Sequence, residues 1–160
     1  MATRSLPSWP VGQTTFEVAG APRPLQRPRF AGGRVYNPSA GDLARFRAAA
    51  APFAPPVHAV ASPGPVTVVL EFRFARPASH VCRSGRLAAG APARHISAPD
   101  VDNLAKLVLD ALNGLFFADD RQVERVDARK TYADPGAPAL TRVTLVYGTD
   151  ATWVDVRAGP

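Results

Sequence analysis

Cys82 is the only cysteine in the 160-residue chain. That excludes an intrachain disulfide and a zinc site built from several thiolates, and it fits a reducing compartment. No apolar run approaches the roughly 20 residues that a membrane-crossing helix needs. The opening residues, MATRSLPSWPVG, also lack the apolar stretch of roughly 7–15 residues that drives secretion. A soluble, cytoplasmic protein with no membrane partner is therefore expected. Internal repeats are missing too, which argues against a solenoid or an array. Lysine is scarce, since Lys106 and Lys130 are the only two among 19 basic residues.

Arginine is plentiful instead, and the formal net charge is +6 with a pI near 10.4. A guanidinium presents a planar fork of donors that matches phosphate oxygens, so the leading partner is a polyanion, nucleic acid first. At 46% hydrophobic residues the chain can fill one ordinary core. Seventeen prolines and twelve glycines point to long surface loops around it. The expected layout is an N-terminal tail at 1–13, one domain at 14–147 and a polar C-terminal tail at 148–160.

Within that domain, residues 14–20 alternate as a short strand with Phe16 and Val18 on one side. Prolines hold residues 21–29 extended. Arg23, Arg27 and Arg29 hang from this arm beside Arg34, as phosphate contacts on a preordered segment or, more plainly, as a solvated loop. Ser39 stands as a capping residue before a helix over 39–51. Residues 66–76 give the clearest strand, with Val66, Val68, Leu70, Phe72 and Phe74 in alternation. The stretch 77–98, which carries Arg83, Arg86 and Arg94, has no period and reads as a long loop. The spacing of Leu104, Leu107, Val108, Ala111, Leu112 and Leu115 predicts a helix over 100–115, stopped by Gly114. Two strands follow at 122–132 and 140–147, with Val123 and Val126 in the core. The turn residues Asp134, Pro135 and Gly136 suggest a hairpin between them. The class is α+β, a small mixed sheet packed with two main helices.

The chemistry is concentrated in Asp100, Asp102, Lys106, Asp119 and Asp120. Each has a plain explanation. Asp100 or Asp102 can cap the helix, Lys106 can form an ion-pair ladder with Asp102 and Asp110 at spacings of four, and Asp119 with Asp120 can make a turn. One carboxylate suffices for a cap, however, and the surplus suggests an oxygen-rich site for magnesium, which can activate water and steady a leaving oxygen at a phosphodiester. Lys106 lies one turn beyond Asp102 on the same side and can face charge developing on phosphate. The helix is about 16 Å long, so Asp120 starts its return from the far end and reaches the first turn only if the intervening chain extends.

The run Pro99-Asp100-Val101-Asp102-Asn103-Leu104-Ala105-Lys106, continued by Leu109-Asp110-Ala111-Leu112-Asn113-Gly114 and by Asp119-Asp120-Arg121-Gln122-Val123, resembles the signature of the RusA endodeoxyribonucleases, PDxDNLxKxxLDALNG followed by DDxQV. The arm QRPRF and Val35-Tyr36-Asn37-Pro38 resemble that family's N-terminal half. The resemblance implies an α+β homodimer that resolves four-way DNA junctions by symmetric incision, using magnesium or manganese and no nucleotide cofactor. It implies Asp100, Asp102 and Asp120 as metal-binding catalytic residues, Lys106 as the catalytic lysine and Asp119 as the adjacent acidic position. The rival reading is a noncatalytic basic DNA-binding protein whose carboxylates are structural. His58, His80 and His95 fall in expected loops, Trp9 and Trp153 lie near the ends, and Phe116 with Phe117 is expected to anchor the core or the dimer rather than wedge into DNA.

Overall fold

The structure is a computed structural model that describes residues 12–55 and 64–148. In chain order it contains β1 (Gly12–Ala19), β2 (Arg29–Ala31), β3 (Arg34–Tyr36), α1 (Ala40–Ala50), β4 (Val66–Phe74), α2 (Val101–Leu112), β5 (Val123–Tyr132) and β6 (Leu140–Tyr147). β1, β6, β4 and β5 form a four-stranded sheet in that order, and β2 pairs with β3 in a separate ribbon. This is the expected α+β class, a mixed sheet with two helices.

Period-two alternation decides which side of the sheet is covered. Val66, Val68, Leu70 and Phe72 of β4, with Phe16 and Val18 of β1 and Val143 and Leu145 of β6, are buried on one face. Against them α2 packs Leu104, Leu107, Val108, Ala111 and Leu112, and α1 adds Phe46 and Ala50. The opposite face carries Glu71, which meets Arg73 at 3.0 Å, Arg129 at 3.3 Å and Arg142 at 3.8 Å. Phe116 and Phe117 are both buried in the core, as expected, and the Tyr147 hydroxyl donates to the Phe116 carbonyl at 3.1 Å. Burial pushes the Tyr147 phenol up to about 12.

The hairpin expected of the last two strands does not form. β5 runs parallel to β4, and β6 is antiparallel to β4 on its other side, so β4 lies between them. Residues 133–139 step over the end of β4 instead of turning back, with Ala133 N–H donating to Phe74 at 2.8 Å and Gly20 N–H to Ala139 at 3.0 Å. Parallel pairing of β4 and β5 requires a long crossover. The stretch 77–98 and α2 supply it. Val126 is a second correction: it is 42% exposed on β5, the edge strand of the sheet, whereas Val123 packs partly against the core.

α2 ends at Leu112, earlier than the apolar spacing suggested. Gly114, at φ +70°, reverses the chain, and Arg47 donates to the carbonyls of Ala111 at 2.9 Å and Asn113 at 2.7 Å, so a cation closes the negative end of the helix. The stretch 77–98 folds against the β5 edge. Arg94 bridges to Thr131, Arg76 donates to Ala133 and Pro92 at 3.0 Å each, and the His95 ring stacks on Phe74 at 3.9 Å. β1 begins at Gly12, inside the expected tail 1–13; the rest of that tail, residues 149–160 of the other, Trp9, Trp153 and His58 lie outside the described residues. Among the described residues no helix is long and apolar enough to cross a membrane.

Candidate active site

The first turn of a helix has amide groups with no partner inside the helix, and a side chain at the N-cap often satisfies one of them. Asp100 occupies that position with extended backbone, φ −71° and ψ 143°, yet its side chain makes no capping hydrogen bond. Only its carbonyl joins the helix, accepting from Leu104 N–H at 3.1 Å. The plain capping explanation therefore does not use the Asp100 carboxylate. It is exposed at the positive end of the helix dipole, with Asp102 exposed in the first turn. Lys130 on β5 fixes the approach to this turn, its ammonium donating to the carbonyls of Ser97 at 2.6 Å and Pro99 at 2.7 Å.

The arginine arm meets the same turn. Leu25 N–H donates to the Asn103 carbonyl at 2.8 Å, and Gln26 N–H donates to the Ser39 hydroxyl at 2.8 Å. Ser39 is fully buried and makes no side-chain cap for α1. The expected capping serine instead ties the arm to the domain, while Asn37 accepts from Ser39 N–H at 2.9 Å. Arg23, Arg27, Arg29 and Arg34 are all exposed along this arm and the ribbon that follows it. The fold thus brings the sequence-predicted arm to the sequence-predicted helix start.

Asp119 and Asp120 divide their work. Asp119 accepts from Arg121 N–H at 3.0 Å, from Arg121 Nε at 2.8 Å and, at its second oxygen, from Arg121 Nη2 at 2.9 Å. The guanidinium hydrogen bond, then the backbone N–H, hold its carboxyl well below the usual carboxylate range. Gln122 closes the turn by accepting from Ala118 N–H at 2.7 Å and Asp119 N–H at 3.2 Å. Asp120 is exposed at the start of the 3-10 turn Asp120–Gln122. Burial pushes the Asp110 carboxyl up, the Asp120 charge adds to that, and the Lys106 ammonium opposes it. Asp120 is therefore felt on the later part of α2, about 12 Å along the axis from Asp102 by helical rise. Among the described residues no three His, Cys, Asp or Glu side chains of one chain converge as a metal-holding group.

Two exposed carboxylates at the helix start still suit one kind of ion. Magnesium is a hard cation that takes one or two protein carboxylates and completes its shell with water and substrate phosphate, so Asp100 and Asp102 fit it in donor type and number.

Residues 19–141 match the profile of the family described as Endodeoxyribonuclease RusA. The chain belongs to the RusA endodeoxyribonuclease family. A search of curated proteins finds no match to it. The RusA match runs from the end of β1 to the start of β6, so it contains the arm, the ribbon, the start of α2 and the Asp119–Asp120 turn. Sequence reasoning missed three features of this region. Lys130 had a faint signal, as one of only two lysines in an arginine-rich chain. Ser39 was noticed for the wrong task. Phe30, exposed on the ribbon, was signalled by Gly32-Gly33 between two short apolar runs, a pattern of two-residue hairpins.

Proposed function

We propose that this RusA-family protein is a magnesium-dependent, homodimeric endonuclease that acts in the cytoplasm and resolves branched DNA, four-way junctions first, by paired phosphodiester hydrolysis in recombination and repair. One observation carries the reading: a carboxylate at the N-cap of α2 is left out of capping, on the turn to which the arginine arm is hydrogen-bonded. A noncatalytic DNA-binding protein needs the arm and has no use for that uncapped carboxylate.

Asp100 and Asp102 would hold magnesium, or manganese in its place. When bound, the metal supplies a Lewis acid and lowers the pKa of a water. The chain's own residues do the rest. Arg23, Arg27, Arg29 and Arg34 hold the backbone by its phosphates, and Lys106, one turn from Asp102, faces the charge that develops there. Asp119 keeps the turn that presents Asp120. Within one chain, no metal-holding group among the described residues joins Asp120 to the pair. In this reading a second chain does, and a C2 dimer also gives the two equivalent sites that symmetric incision requires.

The test compares a labelled four-way junction with linear duplex of the same sequence, with magnesium and with chelator, for wild type and Asp102→Asn. Paired symmetric nicks on the junction alone, with metal and wild type alone, are expected. Binding without cutting under every metal would favour the noncatalytic reading.

A further inference from the structure

The β2–β3 ribbon stands apart from the main sheet, and all six of its strand residues are exposed. Its turn is Gly32-Gly33, with φ of +58° and +77°, the backbone that two-residue hairpin loops adopt. Register then sorts the side chains. Phe30 faces Val35 across the ribbon, while Arg29 faces Tyr36 and Ala31 faces Arg34. Directly opposed residues share a face, and neighbours along a strand do not. One face is therefore apolar, with Phe30 at 73% and Val35 at 72% exposure, and the other is cationic and aromatic.

An apolar pair this open on so small a ribbon has no stabilising role inside the monomer, since two strands alone bury little. Charge identifies the occupant. No Asp or Glu occurs between Glu17 and Asp42, whereas Arg23, Arg27, Arg29 and Arg34 all do. A surface that pairs arginine with an uncovered aromatic matches nucleic acid, where phosphates and base faces lie within one ribbon's width of each other. Intact duplex offers the phosphates but keeps its base faces stacked. A branch point exposes them.

We propose that the ribbon is the branch-sensing element of this protein: Phe30, backed by Val35, inserts against an unstacked base at the crossover while Arg29 and Arg34 hold the flanking phosphates. The inference rests on the branched-DNA reading above and adds to it what distinguishes branch from duplex. It concerns binding and requires no chemistry.

The test uses the full-length protein with chelator present, so that no strand is cut. A four-way junction carries 2-aminopurine at the crossover, and its fluorescence reports unstacking. Wild type should raise that fluorescence and bind the junction more tightly than linear duplex. Phe30→Ala should abolish the rise and weaken junction binding by about tenfold or more, with duplex binding unchanged. Phe30→Tyr should restore both. Because Phe30 is exposed, melting temperature should be the same for all three. Unchanged fluorescence and unchanged junction preference in Phe30→Ala would overturn the ribbon's role while leaving the nuclease reading intact. Wild type that does not prefer the junction would overturn both. Light scattering decides the remaining case: if Phe30→Ala turns a dimer into a monomer, the apolar face is a contact between two copies and the proposal fails.

Discussion

Phe72 and Phe30 are both phenylalanines on strands, yet one is buried and the other stands in solvent. Phe72 lies in β4, the strand flanked by β5 and β6, with α1 and α2 over its apolar face; Phe30 lies in a two-stranded ribbon that no described element covers. The core and the ribbon thus use the same residue type for opposite ends. Burial there supplies stability, and exposure here leaves free energy to be gained only on binding. α2 stands between the two regions, sinking Leu104, Leu107 and Val108 into the core while presenting Asp102 and Lys106 to solvent. If this division is correct, changes in one region move melting temperature, and changes in the other move DNA recognition or cleavage.

The largest expected break is Asp102→Asn. If Asp102 holds the metal as proposed, its loss should remove several kcal/mol of transition-state stabilisation and slow junction cleavage on the order of a thousandfold. Melting temperature should stay within a degree or so, because the side chain is exposed. Mixing then tests where Asp120 acts. Asp102→Asn and Asp120→Asn should each be inactive alone. Co-refolded at equal amounts, they should recover cleavage at about one site in four if Asp120 serves the partner chain's site, since half of the dimers are mixed and each has one intact site. Continued inactivity would place all the carboxylates of a site in one chain.

Leu104→Ala should have the reverse profile. Leu104 is fully buried between the site-bearing turn and the sheet, so truncation should cost about 2–5 kcal/mol by denaturant unfolding. Junction preference of the remaining folded protein should persist. Ser39→Ala crosses the boundary between the regions. It leaves Gln26 N–H without its partner, and should cost about 1–2 kcal/mol. It should also flatten the salt dependence of DNA binding, because the arm and its arginines lose their fixed position. A loss of stability with an unchanged salt slope would separate the arm from DNA binding.

Much of this was legible in the sequence, for physical reasons that can be located. α2 could be read because six apolar residues at helical spacing leave one orientation, and β4 because alternation leaves one covered face. The acidic residues stood out by number, beyond what a cap requires. What could not be read depends on partners distant in sequence. Nothing local told β5 that β4 would pair with it in parallel and exclude the hairpin, and Val126 was placed in the core because alternation does not reveal that a strand is an edge. Ser39 before a helix reads as a cap from either side, and only the folded arm shows its hydroxyl accepting from Gln26 instead. Asp120 is the same case at the site: its identity is visible in the chain, but its neighbours are set by the 3-10 turn that Asp119 and Gln122 build.

The smallest expected effect lies on the sheet face away from the helices. Burial alone would raise the Glu71 carboxyl, but the hydrogen bond from Arg73 and the charges of Arg129 and Arg73 outweigh it and hold the group below its ordinary value. A carboxylate depressed by folding contributes stability that is present above its unfolded pKa, near 4.5, and is lost as pH falls through the folded value. Glu71→Gln should therefore cost about 1 kcal/mol at neutral pH. The gap to wild type should narrow only in acid, below that ordinary carboxylate value, in thermal melts followed across pH. The same substitution leaves Arg73, Arg129 and Arg142 without their shared carboxylate. If this face lies away from DNA, junction affinity at neutral pH should be unchanged despite the added positive charge; tighter binding would extend the recognition surface from the ribbon onto the open side of the sheet.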